Sequence, residues 1–148
     1  KQNVFVAHCP QSSTNLSSGI APIRTYIEKG IKIGLGSDIA AGSTLSIFNA
    51  MAMAIQCSKL RWRLVDQSLS PLNIDEAFYL GTKGGGEFFG KVGSFEEGYE
   101  FDAVVIDDTS IKSARELELK ERLERYIYLA QDQYIIAKFV AGNKVFEK

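Results

Sequence analysis

His8 and Asp38 are the residues of this sequence whose types and setting point to chemistry. Asp38 closes the stretch Ile31-Lys32-Ile33-Gly34-Leu35-Gly36-Ser37-Asp38, which reads as a short apolar strand ending on a carboxylate. In α/β proteins, functional groups gather where parallel strands give way to their loops. A carboxylate there can ligate a metal with one oxygen and hold a water with the other. Aspartate is also a common helix N-cap, so Asp38 taken alone is open to either role. His8, the sole histidine, follows a second apolar run at residues 4–7 and precedes Asp38 by 30 positions. If the two runs are adjacent parallel strands, His8 and Asp38 share one rim and one pocket. A lone histidine at a strand end also serves as a hydrogen-bonded structural residue.

The other candidates are weaker. Cys9 has no second histidine as a base and is followed by Pro10, so it reads as a buried structural thiol. Ser12, Ser13, Ser17 and Ser18 offer hydroxyls but no Gly-x-Ser-x-Gly elbow, which leaves them loop hydrogen bonding. Asp107-Asp108 reads as a solvated turn. Gly84-Gly85-Gly86 lacks the Gly-Lys-Ser/Thr ending of a phosphate loop, and no strand precedes it. Trp62, between Arg61 and Arg63, fits a core or an interface position equally. A catalytic zinc takes about three protein ligands. The sequence offers one histidine and no Cys-x-x-Cys, so if Asp38 is a ligand its partners lie outside these residues.

The elements that must position these groups follow from the hydrophobic pattern. Residues 4–7 form a continuous apolar run, as in a parallel strand buried on both faces, and Pro10 stops it. Residues 11–19 read as a polar loop of small side chains. A helix opens near Pro22, places Ile23, Tyr26 and Ile27 on one face, and ends at Gly30. With the strand at 31–36 this makes one βαβ unit. A flexible loop follows Asp38. Ser43 or Thr44 is expected to cap a helix over 45–63 with Ile47, Phe48, Met51, Ala54 and Ile55 as its apolar stripe. Asn73-Ile74-Asp75-Glu76 opens another helix toward Leu80, and Thr82 to Gly90 continues as a glycine-weakened one.

From Val92 the texture changes to turns and short extended pieces. Residues 101–107 and 134–140 read as strands. A helix with Leu119, Leu123, Tyr126 and Ile127 on one side lies between them, and Glu116–Lys120 is a favourable i, i+4 pair. Ala141-Gly142-Asn143-Lys144 is a hairpin turn, with Gly-Asn suited to positive φ.

Composition bounds the possibilities. With 148 residues, 45% hydrophobic, 24% charged and a net charge of −1, the profile is that of a globular chain rather than a disordered or membrane-spanning one. Near-zero charge gives no electrostatic case for nucleic acid. Two cysteines are too few for a disulfide framework and suit a reducing cytosol. Lys1-Gln2-Asn3 is not a signal peptide and leads straight into a strand, so the chain is expected to begin inside a longer protein.

The motif His8-Cys9-Pro10-x-Ser12-x-x-x-Leu16-x-Ser18-Gly19, then Pro22, then Gly34-Leu35-Gly36-Ser37-Asp38, resembles the amidohydrolase superfamily, and within it the guanine deaminases. The tail extends the resemblance through Gly93-Ser94-Phe95-Glu96-x-Gly98-x-x-Phe101-Asp102-Ala103, residues 122–129, and Val140-Ala141-Gly142-Asn143-Lys144-Val145. Ser13 departs from the family's usual Asn, Ala41 from its frequent Gly, and Gln131-Asp132-Gln133 from a more charged run.

The resemblance implies an α/β fold. On that resemblance, residues 1–91 are expected to be the last βα units of a (β/α)₈ barrel of metal-dependent hydrolases, and residues 92–148 part of a small β-sandwich domain with an inserted helix. It implies that Asp38 is both a zinc ligand and a catalytic group, and that His8 lies near the pocket, hydrogen-bonded, without binding the metal. The family's other ligands, its catalytic Glu, and its substrate-binding Arg and Phe all precede this segment. Zinc in such a site lowers the pKa of water toward 7. The implied activity is hydrolysis of guanine to xanthine and ammonia in purine catabolism, in the cytoplasm, by a homodimer. This segment is expected to be inactive without the upstream barrel, with a purine base and that upstream part as its partners and neither nucleic acid nor membrane among them. Two other readings stand beside it: a related amidohydrolase acting on a triazine or another aminated ring, and an isolated, non-enzymatic assembly module.

Overall fold

A computed structural model describes residues 4–129 and 132–148. Strand β1 (Phe5–His8) pairs in parallel with β2 (Lys32–Leu35), in the register Val6 with Ile33 and His8 with Leu35. Between them run helices α1 (Pro10–Asn15) and α2 (Ile23–Glu28). The expected βαβ unit is therefore present, with the two strands adjacent and parallel. The expected polar loop after β1 is instead partly helical. Pro10 sits in the first turn of α1, where its missing N–H costs nothing, and Thr14 Oγ1 donates back to the Pro10 carbonyl at 2.9 Å. The low helix propensity of Gln-Ser-Ser-Thr-Asn is overridden by these local bonds and by burial of Ser12.

Helix α3 (Ile47–Leu64) starts later than the sequence suggests. Its cap is Ser46, which accepts from Asn49 N, while Thr44 Oγ1 accepts from Ser46 N one step earlier. Its apolar stripe meets α4 (Ile74–Gly81) and β2. Met51, Ala54 and Ile55 bury against Ile23, Ile33, Leu72, Ile74, Ala77 and Leu80 to form the core. Asn73 caps α4 in a reciprocal box with Glu76, and Glu76 also pairs with both terminal nitrogens of Arg24 at 2.7 Å, tying α2 to α4.

Short helix α5 (Lys83–Gly86) lies against β2, and its glycines are there for contact. A Cβ on Gly34 would stand 2.7 Å from the Gly85 Cα, so strand and helix touch backbone to backbone. Beyond it, among the described residues, β3 (Ala103–Ile106), β4 (Ile135–Val140) and β5 (Asn143–Glu147) form an antiparallel sheet in the order β3-β4-β5. Helix α6 (Leu119–Leu129) is inserted between β3 and β4 and packs on α3. There Ile127 joins the core and Tyr126 meets Phe48 edge-on at 4.8 Å between ring centroids.

Two local expectations are corrected. Lys120 pairs with Asp75 of α4 at 2.5 Å rather than with Glu116, because the first turn of α6 lies beside the first turn of α4. The hairpin's positive φ values fall on Ala141 (47°) and Gly142 (77°), while Asn143 already belongs to β5. The Phe101-Asp102 step holds that turn from outside: Ala141 N donates to Asp102 Oδ1 at 2.8 Å and Gly142 N to the Phe101 carbonyl at 2.9 Å. Gln131, one of the departures noted in the sequence, lies outside the described residues.

Candidate active site

The site is built at the C-terminal ends of β1 and β2. The ladder continues one step beyond the strands, where Gly36 N donates to the His8 carbonyl at 3.0 Å. That bond brings the start of α1 alongside the residues leading to Asp38. Asp38 itself has a φ of +47°, a left-handed conformation that aspartate tolerates better than most side chains. The turn it begins closes at once, with Gly42 N donating to the Asp38 carbonyl at 2.7 Å. A Cβ on Gly42 would fall 2.0 Å from the Ser37 carbonyl oxygen, so only glycine fits that close approach.

Three side chains of α1 reach across to this loop. Ser12 Oγ donates to Asp38 Oδ2 at 2.5 Å, a short charge-assisted bond. Gln11 Nε2 donates to Ser43 Oγ at 2.7 Å and its Oε1 accepts from Ser43 N at 3.0 Å. Asn15 Nδ2 donates to the Ala41 carbonyl at 2.7 Å. Ser12 is only 4% exposed, whereas Asp38 is exposed. The carboxylate thus has one oxygen anchored from below, while Oδ1 receives no hydrogen bond from the described residues.

His8 is 5% exposed, and burial lowers its pKa from 6.5 to about 4, so its ring is neutral at pH 7. None of the described residues makes a hydrogen bond to its imidazole. Cys9 is half-buried. Burial first, and the Asp38 carboxylate second, push its thiol above the usual value, which keeps it protonated and a poor nucleophile. Asp107 and Asp108 sit in the exposed turn after β3, Asp107 accepting from Thr109 and Asp108 pairing with Arg122.

Sequence reasoning missed the α1 bracket. Its signal was available in the spacing of Gln11, Ser12 and Asn15, which share a face only once 10–15 is helical. Among the described residues no three His, Cys, Asp or Glu side chains converge to hold a metal. Asp38, an exposed hard oxygen donor with one oxygen unbonded, suits one corner of a zinc site and no more.

Residues 1–145 match the model of the amidohydrolase family. The chain belongs to the amidohydrolase family. Guanine deaminase of Dictyostelium discoideum is 35% identical over 151 residues, covering 97% of this chain and 33% of that protein. A crystal structure of guanine deaminase from C. acetobutylicum with guanine bound in the active site is 51% identical, with a TM-score of 0.92, over 97% of this chain and 34% of that one. An adenosine deaminase from Xanthomonas campestris with bound zinc shares the fold at a TM-score of 0.79 and 24% identity, over 95% of this chain and 31% of its own. The chain spans about a third of the length of the relatives it matches. The α/β architecture of this amidohydrolase segment agrees with the barrel fold expected from its motifs.

Proposed function

We propose that this chain is the C-terminal part of a zinc-dependent guanine deaminase that converts guanine and water to xanthine and ammonia. The observation that carries the reading is the 0.92 TM-score at 51% identity to a guanine deaminase holding guanine, over nearly the whole chain. The exposed, anchored carboxylate of Asp38 supports it. Residues 1–91 are the closing βα units of the barrel and residues 92–148 the returning strands of the small β domain. The remaining ligands and the substrate-specificity groups come from the upstream barrel.

Asp38 would hold the metal through its free oxygen. When bound, zinc supplies the polarisation that makes water nucleophilic at neutral pH. Asp38 would take the proton released as water adds to the ring carbon bearing the exocyclic amine and pass it to that amine, so that the C–N bond breaks with ammonia as the leaving group. The neutral ring of His8 lines the same rim without adding a second positive charge beside the metal. The free thiols of Cys9 and Cys57 suit a reducing compartment such as the cytoplasm.

The test is substrate profiling of the full-length protein by ammonia release, with guanine, adenine, adenosine derivatives and aminotriazines at equal concentration. The expected result is a kcat/KM for guanine at least 100-fold above the others, the scale of discrimination a site reaches when it pairs a substrate's polar groups. Preference for another aminated ring would replace guanine while keeping the hydrolytic chemistry. No deamination of any of them would leave the binding-module reading.

A further inference from the structure

We propose that the α1 face formed by Gln11, Ser12 and Asn15 is a clamp on the loop 38–43, and that Ser12 is a positioning residue for the Asp38 carboxylate. The inference rests on the reading of Asp38 as metal ligand and proton acceptor.

Three observations carry it. First, the bonds from α1 fall on successive parts of the same loop: Ser12 on the Asp38 side chain, Asn15 on the Ala41 carbonyl, and Gln11 on both the backbone and the side chain of Ser43. Second, the geometry is asymmetric. The donor, Ser12, is buried and fixed within a helix, while the acceptor, Asp38, is exposed and sits at a φ of +47° on a turn. A free carboxylate on such a turn would sample several χ1 and χ2 states. A 2.5 Å bond from a buried hydroxyl selects one of them and leaves the other oxygen facing outward. Third, Ser12 Oγ has no competing acceptor among the described residues, so its proton is committed to Asp38. Partners that orient a ligating carboxylate typically matter by about 10–100-fold in metal affinity or activity.

The experiment uses the full-length enzyme with Ser12→Ala, Ser12→Thr and Asp38→Asn. The readouts are kcat, KM, zinc affinity by competition with a chelator, and thermal midpoint. Asp38 is exposed in this chain, so removing the Ser12 hydroxyl leaves no buried acceptor of this chain unpaired. The clamp predicts that Ser12→Ala lowers kcat and zinc affinity each by about 10–100-fold. KM stays within about twofold, the midpoint is nearly unchanged, and Ser12→Thr, which keeps the hydroxyl, recovers most of both losses.

Wild-type kcat and zinc affinity in Ser12→Ala, with Asp38→Asn inactive, would overturn the clamp and leave the function standing. A loss in Ser12→Ala that tracks a fall in thermal midpoint and is not recovered by threonine would assign Ser12 to packing and overturn the clamp as well. Near-normal turnover in Asp38→Asn would remove the reading on which the clamp rests, and the positioning role with it.

Discussion

His8 carries its imidazole in a buried position, and burial favours the uncharged ring. The drop from 6.5 to about 4 means that the unfolded chain binds more protons than the folded one between those two values. Stability is therefore intact above pH 6.5 and is lost as pH falls toward 4, by up to roughly 3 kcal/mol. Because His8 is the only histidine in this sequence, its ring C2 proton gives a single resonance to follow. An NMR titration of this chain is expected to give a midpoint near 4, and a midpoint near 6.5 would show a solvated ring. Glu76 pushes in the same direction. The hydrogen bond from Arg24, followed by that from the Asn73 backbone, holds its carboxyl below the ordinary range. Its contribution is full above the unfolded carboxylate value and disappears as pH falls through the lowered one. Glu76→Gln keeps the shape but loses the bidentate charge pair, and urea unfolding is expected to show a loss of about 2 kcal/mol, the value of hydrogen bonds to charged groups in partly buried settings.

At the scale of elements, most of the fold was legible because periodicity reports burial. The runs at 4–7 and 31–36 became β1 and β2, and the stripe Met51, Ala54, Ile55 became the centre of the core. What periodicity could not show was set by bonds between distant residues. Helix α1 has no apolar stripe; it is held by Pro10 at its start and by side chains committed to the loop 38–43. Lys120 found Asp75, 45 positions away, because α6 begins only at Leu119 and leaves Glu116 outside the helix. The hairpin turn moved one residue earlier than Gly-Asn chemistry suggests, since Asp102 and the Phe101 carbonyl receive the N–H groups of Ala141 and Gly142. Ala141 at a φ of 47° bears the strain of a side chain in the left-handed region. Ala141→Gly is expected to stabilise the chain by about 0.5–1 kcal/mol in urea unfolding, because relief of that strain exceeds the added entropy of the unfolded glycine. A destabilised variant would mean that the Ala141 methyl contributes packing of its own.

At the scale of the whole molecule, the candidate site was legible as a carboxylate at a strand end and illegible as a complete machine. Asp38 stands where the sequence motif put it, at the rim shared by two parallel strands. Its support by Ser12 emerged only in three dimensions. Large apolar side chains remain exposed, notably Phe88, Phe89 and Phe95. With the chain spanning about a third of its relatives, such surfaces are consistent with the proposal that further barrel covers them. Asp38 is proposed to bind the metal and to move the proton in a deaminase. The most direct test is guanine turnover and zinc content of the full-length Asp38→Asn variant, which keeps the size of the side chain but removes its charge and its capacity to accept a proton. Turnover is expected to fall at least about 10²-fold below wild type even when zinc is restored, the usual scale of general acid–base help, in a protein that still folds. Near-normal guanine turnover with full zinc occupancy would contradict it and leave Asp38 as the cap of a turn.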